Sequence, residues 1–137
     1  MFYVSRYSNK ALENENVIPI QISVGLPKFK INYELKGEIG LLKPFGLFKI
    51  QDQEDFDIAY TQQLERHGVE KIRRCLNHFK EEGKDTVLLC FEDVRVKPCH
   101  RTTFAEWWKE KTGEEIPEYP EPEKCLTKKE DPQKRFF

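Results

Sequence analysis

Apolar residues in this chain change their spacing from one segment to the next, and the changes trace an alternation of strands and helices. Residues 2–5 (Phe-Tyr-Val-Ser) form a short β-prone run, broken by Asn9 and the polar stretch from Glu13 to Asn16. Ile18, Ile20, Ile22 and Val24 recur at period two, which predicts a second strand over Val17–Val24. Pro19 has no N–H, so that end of the strand belongs at an edge or ahead of the ladder. Gly25 and Pro27 stop the run. Phe29, Ile31 and Tyr33 alternate with polar residues, as in a strand, but Gly37, Gly40, Pro44 and Gly46 break up the apolar cluster that follows. Residues 28–50 therefore read as an irregular, partly buried excursion, a kind of long loop that is often functional.

Helical spacing starts near Glu54, with Phe56, Ala59, Tyr60 and Leu64 on one side, and stops at Gly68. A second helix runs from Val69 to about Glu82 with Val69, Ile72, Cys75, Leu76 and Phe79 on one face and Gly83 as its C-terminal cap. Cys75 on that stripe reads as a small core residue. Asp85-Thr-Val-Leu-Leu-Cys-Phe is continuously apolar after its first two residues, as a central strand covered on both faces should be. Phe104, Trp107 and Trp108 mark a third helix ending near Gly113, and Ile116-Pro-Glu-Tyr119 a last short edge strand. Residues 1–120 thus read as a single α/β domain and 121–137, rich in proline and charge, as a poorly ordered tail.

This order predicts a small three-layer α/β fold of Rossmann-like kind, a mainly parallel sheet with helices on both faces and right-handed crossovers. Such sheets bind ligands beyond the carboxyl ends of their strands. Three segments qualify: Ser5-Arg6-Tyr7-Ser8, Gly25-Leu-Pro-Lys28, and Cys90 through Arg101.

Composition narrows the partners. The chain has 137 residues, 38% hydrophobic and 34% charged, with a net charge of only -1. One domain fits that length. The near-neutral total argues against strong global attraction to nucleic acid or an anionic membrane, while leaving room for a local basic patch. No apolar stretch reaches membrane-spanning length and no secretory signal is visible, so a cytoplasmic protein with free thiols is expected from the four cysteines, Cys75, Cys90, Cys99 and Cys125.

The candidate chemistry gathers at Cys90–Arg101. Thr103-Phe-Ala-Glu106 is a possible capping box, but a helix starting from Cys99 would put Arg101 in its first turn. There the free N–H groups favour an anion, and a guanidinium offers bidentate hydrogen bonds to phosphate. The plainer alternative is a surface arginine paired with Glu92 or Asp93. Cys99 in the same setting would have a lowered pKa and nucleophilic character, with His100 as acid or base, unless it simply packs under the loop. Glu92 is placed to hydrogen-bond a ligand. A metal site from Cys90, Glu92, Cys99 and His100 lacks the paired-ligand spacing of zinc sites, so none is assigned. Trp107 and Trp108 would stack on a base if exposed, although their spacing with Phe104 favours the core. His67, His78 and the runs Lys71-x-Arg73-Arg74 and Lys128-Lys129 read as solvated helix or tail positions.

Val87-Leu-Leu-Cys-Phe-Glu92 followed by Cys99-His-Arg101 at a helix head resembles the domain-of-unknown-function family 488 (DUF488), in which a strand ending in Leu-Cys-x-Glu precedes Cys-His-Arg. Tyr3-x-Ser5-x-Tyr7-Ser8, Gly25-Leu-Pro-Lys-Phe29 and Ile116-Pro-Glu-Tyr119 extend the likeness over roughly residues 1–120. The resemblance implies an intracellular α/β fold and a shared site around Cys90, Glu92, Cys99, His100 and Arg101. It implies no particular reaction.

The resulting expectation is an enzyme acting on a phosphate-bearing small molecule or nucleotide. Cys99, His100 and Glu92 would be its catalytic groups, and Arg101, Ser5, Arg6, Tyr7, Cys90 and Lys28 its ligand contacts. The alternative, from a different class, is a non-catalytic nucleic-acid or protein binding module in which Arg6, Lys28, Lys30 and Arg101 share one face. The residues name no cofactor and no oligomeric state.

Overall fold

The computed structural model describes residues 1–44, 46–47, 49–90 and 100–121. In chain order its elements are β1 (Phe2–Arg6), a 3₁₀ turn (Lys10–Glu13), β2 (Val17–Gln21), β3 (Gly37–Glu38), a second 3₁₀ turn (Gly40–Leu42), α1 (Gln53–His67), α2 (Val69–Phe79), β4 (Asp85–Cys90) and α3 (His100–Thr112). The four strands form one all-parallel sheet in the order β1-β4-β2-β3.

β4 is central because its side chains are apolar on both faces. Leu88 points into one core cluster, and Val87 and Leu89 into the other. The larger cluster joins Val4, Ile18, Ile20 and Leu88 of the sheet to Phe56, Tyr60 and Leu64 of α1, Ile72 and Leu76 of α2, and Phe104, Trp107 and Trp108 of α3. All three α-helices therefore cover one face. The opposite face is covered by the first 3₁₀ turn, which contributes Leu12, and by Ile31, Tyr33, Leu35 and Tyr119. The parallel α/β arrangement stands as expected, with one thick helical layer and one thin layer built from a single helical turn and a run of rings.

Several boundaries moved for physical reasons. Pro19 sits inside the β2–β4 ladder, opposite Val87. Its carbonyl accepts Lys36 N–H at 2.9 Å, so its missing N–H faces the β3 side, where pairing begins only at Ile20. β2 ends at Gln21 rather than Val24: Ile22 N–H still donates to Leu89 of β4, but its carbonyl goes to His100 and the Ser23 hydroxyl to Tyr7. α2 stops at Phe79, short of Glu81 and Glu82, whose negative charges oppose the C-terminal end of a helix dipole. Gly68 separates α1 from α2 at φ 86°, a conformation glycine adopts without steric cost. The closing segment adds one parallel bridge, Val4 to Glu118, with Val4 N–H bonded to Pro117 O at 3.0 Å and Tyr119 N–H to Val4 O at 2.8 Å.

Gly37 lets β3 pass close to Phe79, since a Cβ there would clash with the ring atoms Cε1 and Cζ. Gly37→Ala is expected to cost about 1–3 kcal/mol by overpacking. Urea denaturation checks this, and adding Phe79→Leu should return part of the loss. An unchanged midpoint for the single variant would contradict the close approach. Among the described residues no helix is long and apolar enough to cross a membrane.

Candidate functional site at the carboxyl edge of the sheet

Because every strand is parallel, the segments after β1, β2 and β4 emerge on one edge, and side-chain bonds tie them together there. Tyr7, just past β1, is buried, with its hydroxyl 2.6 Å from Ser23 Oγ. Ser23 Oγ donates to Gly25 O at 2.6 Å, so the Tyr7 hydroxyl donates to Ser23. Burial pushes the Tyr7 phenol up to about 12, which keeps it protonated and a donor. Tyr33 returns to the same place, donating to Tyr7 O at 2.6 Å.

A second tie links β2, β4 and α3. His100 Nε2 lies 2.6 Å from Ile22 O and Nδ1 lies 3.5 Å from Cys90 Sγ. A carbonyl only accepts, so Nε2 carries the proton, Nδ1 presents its lone pair, and the Cys90 thiol donates to it. The Tyr60 ring meets the imidazole edge-on at 5.3 Å. Burial lowers the His100 pKa to about 4, leaving the ring neutral near pH 7. The sequence offers His100 as an acid or base. The structure corrects that role, because both nitrogens are committed inside the fold and the ring is buried, so His100 is a strut between strand ends. Cys90, likewise buried, faces this strut on the helical side of the sheet.

The arginines occupy the other end of the edge. α3 begins at His100, so Arg101 is in the first turn of a 13-residue helix, as the longer of the two expected helix starts requires. Its side chain is 10% exposed and Nε donates to Glu118 at 2.8 Å. Arg6 donates to Glu121 through Nε at 3.0 Å and Nη2 at 2.8 Å. Two guanidinium groups are thus each held by a carboxylate from the closing segment.

The remaining candidates fall as follows. Ser5 is buried, donating to Arg6 O at 3.1 Å and accepting from Asn9 Nδ2 at 3.1 Å, so it supports the turn after β1 instead of facing a ligand. Tyr7 is part of the frame for the same reason. Lys28 is exposed on the loop after β2. Glu92 and Cys99 lie outside the described residues, as do Asp93 and Cys125. Among the described residues no three His, Cys, Asp or Glu side chains gather as metal ligands. Trp107 and Trp108 are core residues, which removes them as a stacking platform. Sequence reasoning missed Ser23, Asn9, Tyr60, Glu118 and Glu121. Asn9, next after the first nominated segment, and Ser23, two residues past the end of β2, lay beside nominated segments; the other three did not.

Comparison with known proteins returned no match: no family model, curated protein or solved structure is similar to this chain. The likeness to family 488 remains a resemblance in motif.

Proposed function

We propose that this protein holds the phosphate of a small molecule or nucleotide at the carboxyl edge of its sheet, gripping it with Arg101 and the N-terminus of α3. One observation carries the reading: a nearly buried arginine, fixed through Nε, sits in the first turn of a long helix where the free N–H groups and the dipole favour an anion. Arg6, paired with Glu121, is a second guanidinium along the same edge. For chemistry on the bound molecule, the sequence supplies Glu92 and Cys99 in the segment leading into α3, where a thiolate would be stabilised. His100 supports this site from below and takes no proton from substrate.

The test uses inorganic phosphate followed by isothermal titration or amide shifts. Arg101→Gln is expected to weaken binding at least roughly tenfold, since a charge-assisted hydrogen bond contributes about 1.5–3 kcal/mol. Glu118→Gln removes the competing carboxylate and should strengthen binding several-fold. Opposite shifts in two variants of equal helical content separate recognition from folding. No saturable binding in the wild type, or identical affinity in all three proteins, sinks the proposal.

A further inference from the structure

The described residues leave five large hydrophobic side chains exposed, and three of them stand within six residues of the loop after β2: Val24 at 42%, Leu26 at 58% and Phe29 at 42%. Lys28 and Lys30 flank Phe29, are exposed, and make no ion pair with described residues. From Gln21 to Tyr33 the chain carries no acidic residue. The loop is held at both ends by a single residue, since Tyr7 bonds Ser23 through its hydroxyl and accepts Tyr33 at its carbonyl. Ile31, Tyr33 and Leu35 then turn inward against the thin-layer cluster. The apolar side chains at the tip are consequently displayed by a loop fastened to Tyr7, at the same carboxyl edge as Arg6 and Arg101.

We infer that residues 24–30 form a binding surface for single-stranded nucleic acid, with a base stacked on Phe29 and phosphates on Lys28 and Lys30. This deepens the phosphate reading above and rests on it. A fastened loop with two cations and, beyond it, the arginine edge offers two separate phosphate stations. A ligand carrying several phosphates joins them, whereas a lone phosphate or a mononucleotide fills one. An exposed ring between cations suits stacked bases whose identity is not read. The near-neutral total charge confines this attraction to the local patch.

Fluorescence anisotropy with a short labelled oligothymidylate and its RNA counterpart tests the inference. The log of the binding constant should fall linearly with the log of salt between about 50 and 200 mM, with a slope of about -1.4 or steeper for two or more phosphates on a single strand. Phe29→Ala should weaken binding roughly tenfold. Lys28→Gln with Lys30→Gln should flatten the slope by about 1.4. These side chains are exposed, so the variants should keep the wild-type circular dichroism. No saturable oligonucleotide binding, a flat salt response, or a Phe29→Ala variant of wild-type affinity overturns the inference. So does binding to phosphatidylserine vesicles or an acidic peptide without oligonucleotide affinity. Inorganic phosphate titrated into the loop variants keeps the two ideas apart: unchanged phosphate affinity with no oligonucleotide binding fails the loop and leaves the Arg101 site standing, and the reverse fails the Arg101 site.

Discussion

Replacing Trp108 with alanine is expected to lower the unfolding free energy by about 3–5 kcal/mol, the range for truncating a large buried aromatic. Trp108 has no exposed surface and lies where α3, α2 and the closing segment meet. Phe104 and Trp107 pack beside it at ring-centroid distances of 5.7 and 6.2 Å, and the Arg73 guanidinium lies 5.0 Å from the ring centre on another side. Its indole N–H donates to Glu114 at 3.0 Å, and the Trp108 hydrogen bond is the main reason the Glu114 carboxyl is held below the usual range. Small domains are stable by only about 5–15 kcal/mol, so the alanine variant sits near the limit of folding. Trp108→Phe keeps most of the apolar contact and loses the N–H, so its cost should be about 1–2 kcal/mol. Urea denaturation of the three proteins checks the order. A loss under about 1 kcal/mol for the alanine variant would contradict the packing described.

Acidification provides the second large effect. His100 has a folded pKa of about 4 against an ordinary value of 6.5, so between those values the unfolded chain binds the extra proton. Stability from this residue is intact above pH 6.5 and is lost as pH falls toward 4, by up to about 3 kcal/mol at 1.36 kcal/mol per unit. Protonation also turns Nδ1 into a donor, so it no longer accepts the Cys90 thiol proton. His67 is shifted down as well, first by burial and then by Lys71 and Arg66, and contributes a smaller change of the same sign. Thermal unfolding across pH 4–7 should therefore slope upward with pH, and His100→Gln should remove most of that slope. Ring resonances of the wild-type protein supply an independent reading. A His100 titration midpoint at or above 6.5 would rule out the buried neutral strut.

The parallel sheet was legible because its central strand carries an uninterrupted apolar run and because two helical stripes precede it. The third helix and its end were legible from Phe104, Trp107, Trp108 and Gly113, while its start stayed open between Cys99 and Thr103. The carboxyl edge followed from a rule about parallel sheets, and the ties between its segments follow from distant pairings that local spacing does not encode. Nothing near Ile22 announces that its carbonyl receives the proton of a histidine 78 positions later. The Arg101–Glu118 pair was hidden for the same reason, since Glu118 reads only as a polar position in a short strand. Phe29 shows the opposite failure. Its alternation with Ile31 and Tyr33 looked uniform, yet Ile31 and Tyr33 pack inward while Phe29 faces water, because only the later part of the segment returns to the sheet.

The single bridge between Val4 and Glu118 sets where the molecule can be cut. Without residues 116–119, the Val4 amide and carbonyl would face solvent on the outer side of β1, opening that edge to pairing with another chain. A fragment ending at Thr112 would contain every α-helix described and still be prone to polymerise through that open edge. The shortest fragment that keeps both Val4 bonds runs through Tyr119.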